Sequence, residues 1–196
     1  MRVRRAYTGA MRVGLKKKTA RAPLDEAGLL EYAVRSLSSK MKSVRDLRRR
    51  MSERVTADEE GAALIDKVVA RLKELGHLSD ERFAADYTRL RKENEKFGKR
   101  RVQLGLMQKG IAAPVVNEAI GAAYDEVDEV ALAKEYIARK RMKEPAGDRE
   151  KKQKETAKAM RRLVAAGFSV GTVWKVLRDW GAELEEVDLE DSGIES

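Results

Sequence analysis

Cysteine is absent from this 196-residue sequence, and histidine occurs only once. Disulfides, thiolate nucleophiles and Cys/His zinc sites are therefore excluded, and a reducing cytoplasm is the expected compartment. No run of apolar residues approaches the roughly 18 that span a bilayer, and no apolar stretch follows the basic N-terminal segment. We therefore expect neither a membrane span nor a secretory signal.

Proline is scarce at 3 residues, and aromatic residues make up only 5% of the chain. The composition is short of strand formers and rich in Ala, Leu, Arg, Lys and Glu, which favours helices. The hydrophobic fraction of 42% is still sufficient for a packed core. We expect an all-α protein.

Apolar residues between 25 and 182 recur at helical spacing, and glycine, proline and capping residues divide the pattern into nine segments. One apolar face occurs three times, as Leu47, Met51, Leu64 and Val68, then Val102, Leu106, Val116 and Ile120, then Ala159, Leu163, Val173 and Leu177. Three short helices bury little surface alone, so neighbouring units should stack. The pattern predicts three tandem three-helix, helix-turn-helix-like repeats in an elongated, curved array.

The expected boundaries are residues 25–76, 77–124 and 125–182 for the three repeats. A basic segment (1–24) and an acidic segment (183–196) flank them, and we interpret both as flexible tails because like charges repel. The expected helices lie near residues 25–38, 43–55, 61–75, 79–94, 99–109, 113–123, 126–142, 149–166 and 169–180. Ser43 and Asp46 have capping-box spacing, Ser79 is a predicted N-cap, and Gly110 is expected to end a helix.

Positive charge is concentrated in the second helix of each repeat. Residues 40–50, 99–109 and 149–162 together hold 17 basic and 3 acidic residues, and we call these three segments the basic ridge. Such a surface suits binding to a polyanion or to an acidic protein. The other interpretation is a merely solubilising surface, which would not require basic residues to be concentrated in the same helix of every repeat. The candidate binding residues are Arg45, Arg48, Arg49, Lys99, Arg100, Arg101, Lys109, Lys151, Lys152, Lys158, Arg161 and Arg162.

Catalytic and cofactor-binding patterns are not found. Gly105 and Gly110 have the glycine spacing of a phosphate loop, but the Lys and Ser/Thr that should follow are missing. His77 has no second His or Cys to share a metal. We therefore predict a protein that is not an enzyme and uses no metal or cofactor.

Two groups of apolar residues have helical spacing and are expected in the core. The first is Phe83, Tyr87 and Leu90, and the second is Trp174, Leu177 and Trp180. One of the two indoles remains a candidate for an exposed interface anchor.

Two stretches resemble the RecX regulatory proteins. Residues 71–84 (RLKELGHLSDERFA) are similar to the junction between the first and second repeats of that family. Residues 97–111 (FGKRRVQLGLMQKGI) are similar to the glycine, basic pair and Leu/Lys-Gly-Ile helix of the second repeat. The resemblance covers about residues 25–182.

The resemblance implies a monomer that lies in the groove of a RecA filament on single-stranded DNA. It would inhibit ATP hydrolysis, strand exchange and co-protease action, and so regulate DNA repair and the SOS response. The DNA would be contacted directly or through RecA. The alternative is a DNA-binding transcriptional or architectural protein that uses its helix-turn-helix-like units directly.

The acidic segment suggests a further hypothesis. Glu183, Glu185, Glu186, Asp188, Glu190 and Asp191 could occupy the basic ridge as a DNA mimic and reduce nonspecific binding. A plain solubilising tail is the other interpretation.

Overall fold

Capping residues in the sequence set the start of most helices. The computed structural model describes residues 22–180, and within this range it contains nine α-helices and no β-strand. At seven helix starts an Asp or Ser side chain accepts a hydrogen bond from a first-turn backbone N–H. These residues are Asp25, Ser43, Asp58, Ser79, Asp128, Asp148 and Ser169. Pro114 occupies the first turn of another helix.

The helices are named in chain order. They are α1 Glu26–Ser39, α2 Val44–Met51, α3 Glu59–Glu74, α4 Asp80–Glu95, α5 Lys99–Gln108, α6 Ala113–Tyr124, α7 Glu129–Arg139, α8 Arg149–Ala165 and α9 Val170–Asp179.

The helices group in threes, and the most extensive helix contacts are within α1–α3, α4–α6 and α7–α9. The apolar face that recurs in the sequence is buried in each group, except that Leu64 is only half-buried. Ile111 and Phe168, which are 57 residues apart, are also both buried. The predicted all-α fold, three three-helix repeats stacked into an elongated array, is therefore confirmed.

Two apolar cores hold the array together. The first repeat has its own core, whereas the second and third repeats share one. Met41 of the first repeat packs against the shared core, and Leu78, which follows the first repeat, packs into the core of that repeat. The first and second repeats are thus linked by fewer apolar contacts than the second and third.

Two helices are shorter than their periodicity predicted. Helix α2 ends at Met51 rather than near 55, because the chain turns so that the Arg54 carbonyl accepts a hydrogen bond from the Leu24 N–H at 2.8 Å. Helix α7 starts at Glu129 because Asp128 caps it, and it stops before Arg141, which has a left-handed φ of 48°. In both cases a local hydrogen bond or turn outweighs the apolar pattern.

The second and third repeats meet where two glycines face each other. Gly98 precedes α5, and a Cβ added there would lie 2.4 Å from the backbone carbonyl carbon of Gly167. Gly167 itself has a φ of +95°, and a Cβ on it would lie 2.3 Å from the Arg101 nitrogen. Only glycine permits this approach, so these residues fix the joint between the two repeats.

We expect the substitution Gly98→Ala to lower the free energy of unfolding by about 1–3 kcal/mol, because the new methyl group overlaps rigid backbone. Urea denaturation followed by circular dichroism measures this loss. Gly171→Ala is the matched control, since nothing lies within 4 Å of its added Cβ. It should leave stability unchanged or raise it by up to about 1 kcal/mol, because Gly171 lies in α9. Equal unfolding midpoints for the two variants would contradict the tight joint.

Candidate interaction surface

The second helices of the three repeats are joined end to end. The Ser43 hydroxyl at the start of α2 donates to the carbonyl of Lys109 at the end of α5, at 2.8 Å. At the next joint the Gly98 N–H, at the start of α5, donates to the Ala166 carbonyl after α8, at 2.9 Å. The positive end of one helix dipole thus meets the negative end of the next. The basic ridge is therefore continuous from α8 through α5 to α2.

Side chains reinforce the joint between the first and second repeats. The Val44 N–H donates to the Asp80 carboxylate at 2.9 Å, and the Lys109 ammonium pairs with Asp46 at 2.7 Å. Arg45 lies against Gly110, where an added Cβ would be 2.3 Å from the Arg45 Cδ. Lys109 and Arg45 therefore have a structural role in addition to any binding role.

Within the third repeat, a half-buried carboxylate holds α7 and α9 together. Glu129 accepts hydrogen bonds from the Ser169 N–H at 2.9 Å, from the Ser169 hydroxyl and from Thr172. Burial alone would raise the pKa of the Glu129 carboxyl, but these bonds and nearby Arg100 together hold the pKa below its usual value. The carboxylate is thus ionised at neutral pH, and its hydrogen bonds fix the start of α9 against the start of α7.

Most of the candidate binding residues are exposed. Lys109 and Lys152 are half-buried, and the exposed ones are Arg45, Arg48, Arg49, Lys99, Arg100, Arg101, Lys151, Lys158, Arg161 and Arg162. On α2, Arg48 pairs with Asp66 and Arg49 pairs with Asp46 at 3.4 Å. On α5, Lys99, Arg100 and Arg101 make no ion pair within the described residues, and the same holds for Arg45 and Arg50 on α2. The start of α5 therefore presents three adjacent cationic side chains without a paired carboxylate in the described part of the chain.

Helix α5 also exposes apolar side chains that the sequence reasoning did not identify. Leu104 is 54% exposed and Met107 is 53% exposed, whereas Val102 and Leu106 on the opposite face are buried. Val164 on α8, 57 residues after Met107, is 41% exposed. Leu104 and Met107 are three residues apart and so share one helix face, which also carries Arg100. The centre of the basic ridge is therefore a mixed apolar and basic surface, typical of a protein-binding site.

A cleft of about 400 Å³ opens at the α2 end of the basic ridge, between the first repeat and α4. Its floor is apolar and its rim is basic. The floor consists of Met41, Phe83, Tyr87 and Leu90. The rim carries Lys40, Lys42, Arg49, Arg50, Arg91 and Lys109, together with Asp46, Asn94 and Glu95. The prediction that Leu90 is a core residue is wrong: it is 38% exposed, because the cores of the two repeats are separate at this point.

The cations on this rim repel one another. The Lys42 side chain is largely buried, and its ammonium donates to the carbonyls of Ser36 and Lys40. Burial, followed by the charges of Arg50 and Lys40, lowers the pKa of Lys42. An anion in the cleft would relieve this repulsion.

The remaining predicted features occupy ordinary positions. His77 is exposed, and no cluster of three metal-ligating side chains occurs within residues 22–180. Phe83 is buried, Tyr87 is half-buried and stacks on it, and Leu177 is buried between half-buried Trp174 and Trp180. None of the helices from α1 to α9 is long and apolar enough to cross a membrane. The two tails of the sequence lie outside the described residues.

Comparison with known proteins agrees with the architecture. Residues 79–120 match the family model of the second three-helix domain of RecX. The regulatory protein RecX of Mycolicibacterium vanbaalenii is 30% identical over 131 residues, covering 67% of this chain and 68% of that protein. The regulatory protein RecX of Leptothrix cholodnii is 30% identical over 146 residues, covering 74% and 85%.

Two solved structures have the same fold. The crystal structure of RecX from Lactobacillus salivarius superimposes with a TM-score of 0.57 at 19% identity, covering 80% of this chain and 96% of that one. A second crystal structure of a regulatory protein RecX gives a TM-score of 0.56 at 24% identity, covering 79% and 73%. With two relatives at 30% identity over more than two thirds of their length, the chain belongs to the RecX family of regulatory proteins.

Proposed function

We propose that this protein binds RecA filaments on single-stranded DNA and inhibits the recombinase, without catalysing a reaction itself. It would act as a cytoplasmic monomer in the control of DNA repair and the SOS response. The activities it would suppress are ATP hydrolysis, strand exchange and co-protease action. The partner is inferred from the family, and the geometry below supports it.

The observation that carries this proposal is the mixed surface of α5. Leu104 and Met107 are more than half exposed beside Lys99, Arg100 and Arg101. A phosphate backbone offers such apolar side chains nothing to bury against, whereas a protein surface does. A surface that is both basic and apolar therefore favours a protein partner over naked DNA.

The line of basic helices supports the placement of the protein along a filament. Three second helices joined end to end form an elongated body that can contact adjacent protomers of a helical polymer. Basic side chains along that body can meet acidic protein or DNA phosphate, and the apolar centre would be buried between them. One bound molecule that contacts several RecA protomers would slow ATP hydrolysis at each of them. The number of inhibited active sites would then exceed the number of bound molecules.

The test is a titration of RecA-catalysed ATP hydrolysis on single-stranded DNA. We expect hydrolysis to fall at less than one molecule of this protein per RecA protomer, because each bound molecule spans more than one protomer. Binding to single-stranded DNA alone, measured at the same salt concentration, is the control. Unchanged hydrolysis with a protein that circular dichroism shows to be folded would contradict the proposal, and tight binding to naked DNA would favour the direct DNA-binding alternative.

A further inference from the structure

The cleft between the first repeat and α4 is enclosed on two sides. One wall belongs to the first repeat and carries Lys40, Met41 and Arg50, and the other belongs to α4 and carries Leu90 and Arg91. Its volume of about 400 Å³ lies within the range of ligand sites, roughly 300–1,000 Å³. The cleft can therefore hold part of a peptide between the two repeats.

Hydrogen bonds between the repeats fix the positions of the two walls. The Ser43 hydroxyl donates to the Lys109 carbonyl at 2.8 Å, and the Val44 N–H donates to the Asp80 carboxylate at 2.9 Å. Asp80 begins α4, and Ser43 directly follows the loop that forms the wall of the first repeat. The cleft is thus formed before any ligand binds, which favours affinity for a short ligand.

Positive charge in the cleft exceeds negative charge. Its two acidic side chains, Asp46 and Glu95, already pair with lysines, at 2.7 Å and 3.2 Å. Within the described residues, Lys40, Arg50 and Arg91 form no ion pair. Cations from both walls are therefore available to carboxylates of a ligand.

The floor of the cleft fits an aliphatic side chain better than a nucleic acid base. A base would need a free aromatic face on which to stack. The Tyr87 ring is already stacked with Phe83, at a centroid distance of 5.8 Å, and is covered by the Arg91 guanidinium at 5.1 Å. The open part of the floor is aliphatic, with Leu90 38% exposed beside Met41.

The shape of the cleft separates it from the mixed surface of α5. Leu104 and Met107 lie on the outer side of a single helix, whose surface curves away from a ligand. Such a surface needs a broad partner before much area is buried. A short peptide in the cleft is instead contacted from two sides, so it buries its side chains more completely.

We propose that the cleft is a docking site for an acidic peptide segment of a partner protein. An aliphatic anchor of the peptide would cover Met41 and Leu90, and carboxylates beside it would pair with Lys40, Arg50 and Arg91. A peptide bound in this way contacts two repeats at once and holds the first repeat against α4. The site is separate from the RecA contact on α5, and its test contains neither RecA nor DNA, so either proposal can fail without the other.

The test uses the full chain and a synthetic octapeptide, in which six acidic residues flank two central leucines and both ends are blocked. Binding is followed by NMR of isotope-labelled methionine methyl groups. We expect the signal of Met41 in the cleft to shift and the signal of Met107 on α5 to stay in place. A larger shift at Met107 would place the peptide on α5 and overturn the proposal, as would the absence of any shift at about 1 mM peptide.

Control peptides separate the contributions of floor and rim. Serine in place of both leucines should weaken binding by about tenfold, because the floor is no longer covered. Amides in place of the carboxylates should weaken binding and remove its dependence on salt. An octathymidylate tests the nucleic-acid alternative, and a larger shift of Met41 with this oligonucleotide than with the peptide would contradict the peptide assignment.

Matched apolar variants locate the anchor. Leu90→Ser should weaken binding of the octapeptide by about tenfold. Leu75→Ser is the control, because Leu75 is 48% exposed and lies outside the cleft. Equal affinities of the two variants would show that Leu90 contacts no anchor and would overturn the site.

Matched charge variants test the rim. Replacing Lys40 and Arg50 by Gln should weaken binding by about tenfold at low salt, and both side chains are exposed, so the fold should be unaffected. Replacing Lys67 and Arg71 on α3 by Gln removes the same charge away from the cleft and should leave affinity within about twofold. Equal losses in both variants would reduce the effect to net charge and contradict the proposal.

Discussion

Replacing Leu104 and Met107 with serine should weaken binding to RecA filaments by about 30- to 1,000-fold. Each side chain is more than half exposed in the structure, and burial of such an anchor in a protein interface typically contributes about 1–2 kcal/mol. Binding to naked single-stranded DNA should hardly change, because the phosphate contacts remain. Filament binding measured by co-sedimentation, beside fluorescence anisotropy with DNA alone, distinguishes the two effects.

The control for this experiment is a pair of slightly less exposed apolar residues outside the basic ridge. Val34 on α1 is 42% exposed and Leu75 after α3 is 48% exposed. Serine at these two positions should leave filament affinity within about twofold, because they lie away from the proposed contact. Equal losses in the two double variants, or equal losses for filament and naked DNA, would remove α5 from the protein interface.

The repeat architecture was predictable because the spacing of apolar residues along the sequence indicates it directly. Val102 and Leu163, like every other member of the recurring face except the half-buried Leu64, are buried because helical periodicity places them on the same side of each unit. The starts of helices were equally predictable from the sequence. Ser43, Ser79 and Ser169 each cap a backbone N–H that is only three residues away. Local chemistry and apolar spacing are sufficient for this level of structure.

The joints between repeats were not predictable, because they are formed by contacts between distant residues, which the spacing of apolar residues does not reveal. Ser43 and Asp46 were predicted to form a capping box, and the Ser43 oxygen does accept from the Asp46 N–H at 3.1 Å. The Asp46 carboxylate, however, pairs with Lys109, which is 63 residues away. The sequence could not indicate that the second helices would meet end to end, because the partners lie in different repeats.

The exposed apolar residues were missed for a related reason. A periodicity argument looks for apolar residues on the buried face, and Leu104 and Met107 fall outside the face formed by Val102 and Leu106. The signal was nevertheless present, as two large apolar residues on the solvent side of a strongly basic helix. For Leu90 the error was the reverse: a buried residue was predicted, and an exposed one was found. Its i+7 spacing from Phe83 implied burial, but the apolar core ends at the cleft before it reaches Leu90.

Replacing Lys99, Arg100 and Arg101 with glutamine should weaken filament binding by about 5- to 150-fold, or about 1–3 kcal/mol. These three side chains are exposed, and within residues 22–180 none of them forms an ion pair, unlike Arg48 and Arg49 on α2. The loss should be largest at low ionic strength and should shrink as salt rises, because salt screens exposed charges. Helix α5 should stay folded, since Gln is a good helix former and the Gly98 and Arg100 backbone bonds are unchanged.

The matched control for charge is the triple replacement of Lys67, Arg71 and Lys73 by glutamine. It changes the net charge by the same amount, but its residues lie on α3, outside the basic ridge. Co-sedimentation with RecA filaments at several salt concentrations, with thermal unfolding of both variants, separates a specific contact from bulk electrostatics and from misfolding. If both variants bind equally weakly, net charge alone drives association. If the α5 variant binds as well as the unmodified protein, the apolar pair on this helix acts without its basic neighbours and the ridge is a solubilising surface.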